Sequence, residues 1–233
     1  MFKLNDKTKA IIKGILVFFI FYYSKYLQYI PVYIFKIDIK EMSTTMQVIL
    51  STFSSIIVFF TFFLLYRKDL KRDFKDFWKN KETYIDVGIK YWIIGLLIMF
   101  ITNYILNFVF KAGGANNEKI VQTMIKSFPL LMIIDAGILA PFNEEIVFRK
   151  TLKDIFKNKW IFIILSFILF GGAHVISSSN TAIDYLFIIP YGALGASFAY
   201  AYYKTNNIFT SISMHMFHNI SLILLSIITT IIK

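Results

Sequence analysis

The sequence predicts an all-α integral membrane protein, a bundle of seven or eight transmembrane helices around an intramembrane cavity. Composition is the first reason: of 233 residues, 57% are hydrophobic and only 17% charged, against roughly 45–50% and 25% in soluble domains. The second is length. Apolar runs of about twenty residues recur along the whole chain, each able to cross a hydrocarbon core of about 30 Å as a helix. The third is pattern, because these runs are apolar on every face. A transmembrane β-barrel would instead show segments of about ten residues alternating apolar and polar.

The spans fall at 11–34, 46–66, 88–110, 128–148, 160–177, 183–203 and 208–232. Lys3, Lys7, Lys9 and Lys13 precede the first, whose run at 15–23 resembles a signal peptide, but no small-residue cleavage site follows. It is read as an uncleaved first span. The second span leads into a basic amphipathic segment at 67–83. Within 67–81, Leu70, Phe74, Phe77 and Trp78 recur at helical spacing among lysines and arginines. That stretch is expected on the inner membrane surface, its lysines facing anionic lipid. The third span is uninterrupted. Between it and the fourth, the stretch 115–127 is a loop or dips into the membrane, which would make eight crossings. In the fourth, Pro141 has no N–H to donate and clashes with the preceding turn, so a kink, or a break into two helices, is expected there. The last three spans follow in quick succession. The whole chain reads as one polytopic domain, with N-terminal helices at 1–120 and a helical core carrying the candidate site at 121–233.

A net charge of +11 does not point to nucleic acid, because the basic residues cluster between apolar spans rather than along one soluble face. They act as topology determinants. With the N-terminus inside, alternation puts eighteen lysines and arginines on the cytoplasmic side. Six remain outside: Lys36, Lys40, Lys111, Lys119, Lys126 and Lys233, with Lys25 within a span. A cell-membrane protein with a cytoplasmic N-terminus is predicted. The absence of cysteine excludes disulfides, thiolate metal sites and cysteine nucleophiles.

Ionisable side chains inside a span cost about 2.5–3.5 kcal/mol each, which makes them functional candidates. Asn143, Glu144, Glu145 and Arg149 share the fourth span; Phe170, Gly171, Gly172 and His174 end the fifth; His215, His218 and Asn219 lie in the last. Glu145 and Arg149, at i and i+4, can meet on one face, whereas Glu144 lies about 100° round the helix. One carboxylate is paired and one free. A carboxylate in a mostly apolar, partly wet cavity holds its charge less readily than in water, which suits a general base, so Glu144 is the candidate. His215 and Asn219, again i and i+4, can project together as donors to an oxyanion. His174 could share a proton with the water that Glu144 activates, and Gly171 and Gly172 offer close approach to a helix or to substrate backbone. His218 reads as a packed histidine, and Asp135, Asn103 and Asn107 as interhelical hydrogen-bond partners.

In order, E-E-x-x-x-R at Glu144, Glu145 and Arg149, F-x-x-x-H at Phe170 and His174, and H-x-x-x-N at His215 and Asn219 resemble the CPBP family. That family contains CAAX prenyl endopeptidases and bacteriocin-processing or immunity-type proteins. The resemblance covers roughly 140–220. It implies an intramembrane glutamic protease acting on a membrane-associated protein or peptide, with no cofactor. By it, Glu144 and His174 activate water, His215 and Asn219 form the oxyanion site, and Glu145, Arg149 and Phe170 support the site. Three rival readings stay open. Zinc could be held by the carboxylates and histidines, although H-E-x-x-H is absent. The same fold could serve as a non-enzymatic immunity or peptide-binding protein, or the intramembrane Glu and His could relay protons in a transporter.

Overall fold

The computed structural model describes residues 5–39, 42–179 and 181–232. Lys3, Lys40 and Lys233 of the charge comparison lie outside them. Among the described residues there is no strand. Asn5 opens α1 (Asp6–Ser24) by accepting the Thr8 N–H, and a short α2 (Tyr29–Ile34) follows. The first predicted span is therefore broken near residue 25. Lys25 caps the end of α1 rather than lying within a span.

Ser43 caps α3 (Thr44–Lys79), whose 36 residues extend about 54 Å at 1.5 Å per residue. This exceeds the hydrocarbon core. The second span and the basic segment are thus one helix. The apolar stripe of that segment partly packs on protein: Leu70 is buried, and the Phe74 and Phe77 rings lie 5.4 and 6.3 Å from Phe209. α4 (Lys81–Phe110) ends on Lys111 in the left-handed region, with Gly113 and Gly114 also at positive φ, where glycine carries no steric penalty. Asn107 donates to the Asn103 carbonyl and accepts from the Gly114 N–H. It closes its own helix end and, among the described residues, makes no interhelical bond of the expected kind.

The stretch 115–127 contains α5 (Asn116–Ser127). From 129 to 155 the chain is helical without a break: α6 (Pro129–Ile134), a π-helical turn (Asp135–Leu139), α7 (Ala140–Glu145), a second π turn (Ile146–Thr151) and α8 (Leu152–Ile155). Pro141 therefore widens the helix instead of splitting it. Three helices complete the chain: α9 (Lys159–Val175), α10 (Ile188–Thr205), entered through a 3₁₀ turn, and α11 (Ile208–Ile231).

Among the described residues three helices, α3, α4 and α11, are long and apolar enough to cross a membrane, with α9 a shorter apolar one. The chain is an all-α membrane protein; the other predicted spans correspond to shorter or irregular helices. Contacts gather the basic segments at one end. Lys13 lies over the Tyr66 ring, Tyr66 bonds Thr151, and Lys150 pairs with Asp69 and Asp154. There too, Asn207 caps α11 and donates to the Asp73 carbonyl and the Asp76 carboxylate. At the other end Ser54 donates to the Ser24 carbonyl, and Gln122 of α5 accepts from Ser226 of α11.

Candidate active site

The site forms where the irregular run 129–155 meets α9 and α11. Pro141 cannot donate to the carbonyl four residues earlier, and ahead of it the chain opens into the wider π turn, with Ala140 N–H bonded to the Asp135 carbonyl. π turns occur mostly as single insertions at functional sites. Here two of them bracket α7 and set the direction of Asn143, Glu144 and Glu145 independently of the helix on either side.

Side-chain bonds then fix α7 against α3. Asn143 donates to the Ser55 carbonyl at 3.1 Å, while Ser51 and Thr52 donate to Asp135 at 3.0 and 3.3 Å. Asp135 is thus the interhelical partner expected. Ser166 of α9 donates to the Phe148 carbonyl at 2.8 Å.

The two glutamates face different surroundings. Glu145 is fully buried, its Oε2 3.2 Å from Arg149 Nε and its Oε1 2.8 Å from His215 Nδ1. The Glu145–Arg149 contact is an ion pair lacking hydrogen-bond alignment, and Nη1 and Nη2 have no hydrogen-bond partner among the described residues. The guanidinium lies instead over Phe170, 4.3 Å from the ring centroid, with Phe198 at 5.7 Å. Phe170 also touches both histidine rings, at 4.5 Å from His174 and 5.5 Å from His215. It is the apolar hub beneath the polar groups.

Glu144, 17% exposed, points into a cavity of about 830 Å³ that His174, His215, His218 and Asn219 also line. Its Oε2 stands 3.9 Å from His174 Nε2 and 3.7 Å from His215 Nε2. Both gaps exceed a hydrogen bond. The partners of the other ring nitrogens fix what each imidazole offers. His174 Nδ1 is 2.9 Å from the Phe170 carbonyl, which can only accept, so neutral His174 presents an unprotonated Nε2 to Glu144. His215 Nδ1 faces a carboxylate, so Nε2 can donate as well only if the ring is an imidazolium. Asn219 gives one amide N–H to the Ala136 carbonyl at 2.8 Å, leaving the other. Among the described residues, no three histidine or carboxylate side chains form a group arranged for a metal ion.

His218 accepts from Trp92 Nε1 at 3.3 Å, a packed and bonded histidine. Sequence reasoning missed the partners that arrive from distant segments: Trp92, Tyr191 stacked on His174 at 4.7 Å, and Phe198 stacked on His215 at 5.1 Å. No spacing rule within one helix could have found them. Asn103, Asn107, Asn117 and Glu118 also line the cavity.

Residues 126–221 match the family model described as Type II CAAX prenyl endopeptidase Rce1-like. Over 138 residues, 58% of the chain and 53% of the relative, the sequence is 28% identical to a Bacillus subtilis (strain 168) protein named "Putative membrane peptidase YdiL". Over 182 residues, 72% of the chain and 50% of the relative, it is 29% identical to an uncharacterized protein of Mycoplasma capricolum. The chain spans about half the length of the curated relatives it matches. No solved structure matches it significantly. All three motifs lie inside the matched segment, so over residues 126–221 the chain is similar to the Rce1-like type II CAAX prenyl endopeptidases.

Proposed function

We propose that the protein is an intramembrane endopeptidase of the glutamate type that hydrolyses a peptide bond of a membrane-associated protein or peptide precursor. One observation carries this reading: a single Glu144 oxygen faces the Nε2 atoms of His174 and His215 at 3.9 and 3.7 Å on the wall of a cavity. Separations of that size suit a water held between the three groups.

Glu144 takes a proton from this water, and the unprotonated Nε2 of His174 shares it. The water oxygen bonds to the scissile carbonyl carbon, and the carbonyl becomes an oxyanion. His215, oriented through Nδ1 by Glu145, donates to that oxygen from Nε2, and Asn219 donates with its free amide N–H. Collapse re-forms the carbonyl and breaks the C–N bond, and the proton held by Glu144 and His174 passes to the leaving amine. Arg149 and Phe170 keep Glu145 and both imidazoles in place. No step requires a cofactor. The protein lies in the cell membrane with its N-terminus cytoplasmic, a reading supported by the basic residues gathered at one end. The lysines of 67–81 face anionic lipid there.

The test is turnover of a panel of fluorogenic and precursor peptides by the purified protein in liposomes, comparing wild type with Glu144→Gln, with and without a strong chelator. Cleavage lost in the variant and retained with chelator is expected. Undiminished cleavage by Glu144→Gln would sink the mechanism, and chelator-sensitive cleavage would replace it with a zinc-dependent one. A folded wild type that cleaves nothing would favour an immunity or peptide-binding role.

A further inference from the structure

A second cavity, of about 390 Å³, lies at the basic end, between the cytoplasmic extension of α3, α8, the start of α9 and the end of α10. Five cations line it, Arg72, Lys150, Lys153, Lys157 and Lys159, against two carboxylates, Asp69 and Asp154. Those carboxylates are already matched. Lys150 lies 2.6 Å from Asp154 and 3.2 Å from Asp69, and Arg72 lies 3.2 Å from Asp69 and 2.7 Å from Asp73.

The other three lysines bring no counter-charge. Among the described residues none of them is in an ion pair. Lys153 donates to the Asn206 side-chain oxygen at 2.8 Å and the Tyr202 carbonyl at 3.2 Å, and lies over the Tyr202 ring. Lys157 reaches the Lys153 carbonyl, and Lys159 the Tyr200 hydroxyl. Neutral acceptors and ring faces position these ammonium groups without neutralising them. Burial, helped by the neighbouring charge of Lys150, lowers the pKa of Lys153 to about 8. A ligand anion would relieve both the burial and the repulsion.

We propose that this pocket binds a phosphate-bearing anion, held by Lys153, Lys157 and Lys159. Ammonium groups bind phosphate as point charges, and the volume falls within the range of small-ligand sites. The adjoining Trp160, 61% exposed, is the kind of side chain that sits at headgroup level. The phosphate is therefore that of an anionic phospholipid or of a free phosphate reaching the same depth. The proposal stands apart from any activity at Glu144.

Native mass spectrometry of the purified full chain, titrated with phosphatidylglycerol or phosphatidylcholine, tests it. Lys153→Gln/Lys157→Gln should weaken phosphatidylglycerol binding about fivefold per lysine. Lys111→Gln/Lys119→Gln, at exposed positions outside both the pocket and the 67–81 segment, should not. Because Lys153 is partly buried, unfolding midpoints are compared, and Lys157→Gln alone, at an exposed position, must show its own fivefold loss. Inorganic phosphate that displaces the lipid would support a free anion as a source; failure to displace it would support the lipid headgroup. Equal phosphatidylglycerol affinity in the pocket and control variants would overturn the site.

Discussion

Two adjacent glycines at the end of α9 should respond oppositely to alanine. A Cβ on Gly171 would stand 2.6 Å from the Ile188 carbonyl oxygen and 3.1 Å from the Gly192 nitrogen, both backbone atoms of α10. An ordinary carbon–oxygen contact is about 3.3–3.6 Å, so α9 and α10 must separate by roughly 0.7 Å. No rotamer can relieve a clash between backbones. Overpacking of this kind costs about 1–3 kcal/mol, and the rigid partner argues for the upper part, about 2–3 kcal/mol. At Gly172 the nearest atom is the tip of Ile176, at 3.3 Å, which can swing away. Both substitutions gain about the same helix propensity, about 1 kcal/mol, so that gain cancels in the comparison. Gly171→Ala should therefore be less stable than Gly172→Ala by about 2–3 kcal/mol, with Gly172→Ala at or above wild type. Reversible unfolding in mixed micelles, followed by circular dichroism, measures the difference. Equal stabilities, or a less stable Gly172→Ala, would refute the assignment of the α9–α10 backbone contact to Gly171.

Three further outcomes follow from the same geometry. Arg149→Met leaves Glu145 buried beside His215 alone and should cost about 3–5 kcal/mol, whereas adding Glu145→Leu should recover part of the loss; additive losses in a double-mutant cycle would mean the pair is not coupled. Ser51→Ala with Thr52→Val removes two hydroxyls from the buried Asp135 and should destabilise by about 1–3 kcal/mol. Combining them with Asp135→Ala should abolish that increment, and unfolding midpoints report it. Lys153, outside the spans, has its pKa lowered to about 8 by burial and then by Lys150, from an ordinary 10.5. Between those values the unfolded chain holds more protons than the folded one, so stability rises with pH across that window. The wild type should gain on Lys153→Met from pH 8 to 10.5, and a pH-independent difference would contradict the shift.

Much of the site was legible because helical spacing states which side chains share a face. The i, i+4 relation brings Glu145 to Arg149 and turns Glu144 away from them, as the structure places them. The end of α4 was misread, since Asn107 satisfies its own turn. In 67–81, hydrophobic periodicity marks a buried face without saying whether protein or membrane covers it. Leu70 is covered by the helix bundle, whereas Trp78 is 57% exposed. The number of crossings was equally beyond a hydropathy argument. α1 stops at Ser24 and the run 129–155 changes its helical period twice, so apolar length there does not equate with a straight span.

The π turns explain why the carboxylates can sit where they do. In a bilayer, irregular backbone persists only where protein supplies the missing hydrogen bonds or where it lines a cavity, and both conditions hold in this run. The Ala136 carbonyl in the first π turn accepts from Asn219, and the Phe148 carbonyl in the second accepts from Ser166. Thr151, which ends the second, bonds Tyr66. Thus donors from α3, α9 and α11 hold the run that carries Glu144 and Glu145. Asn219, which lines the cavity, is one of them, so the side chain that faces the site also fixes the backbone that aims it. A substitution at Asn219 should accordingly disturb the first π turn as well as the chemistry at the cavity wall, whereas Glu144→Gln, whose side chain makes no hydrogen bond within the described protein, should leave the fold intact.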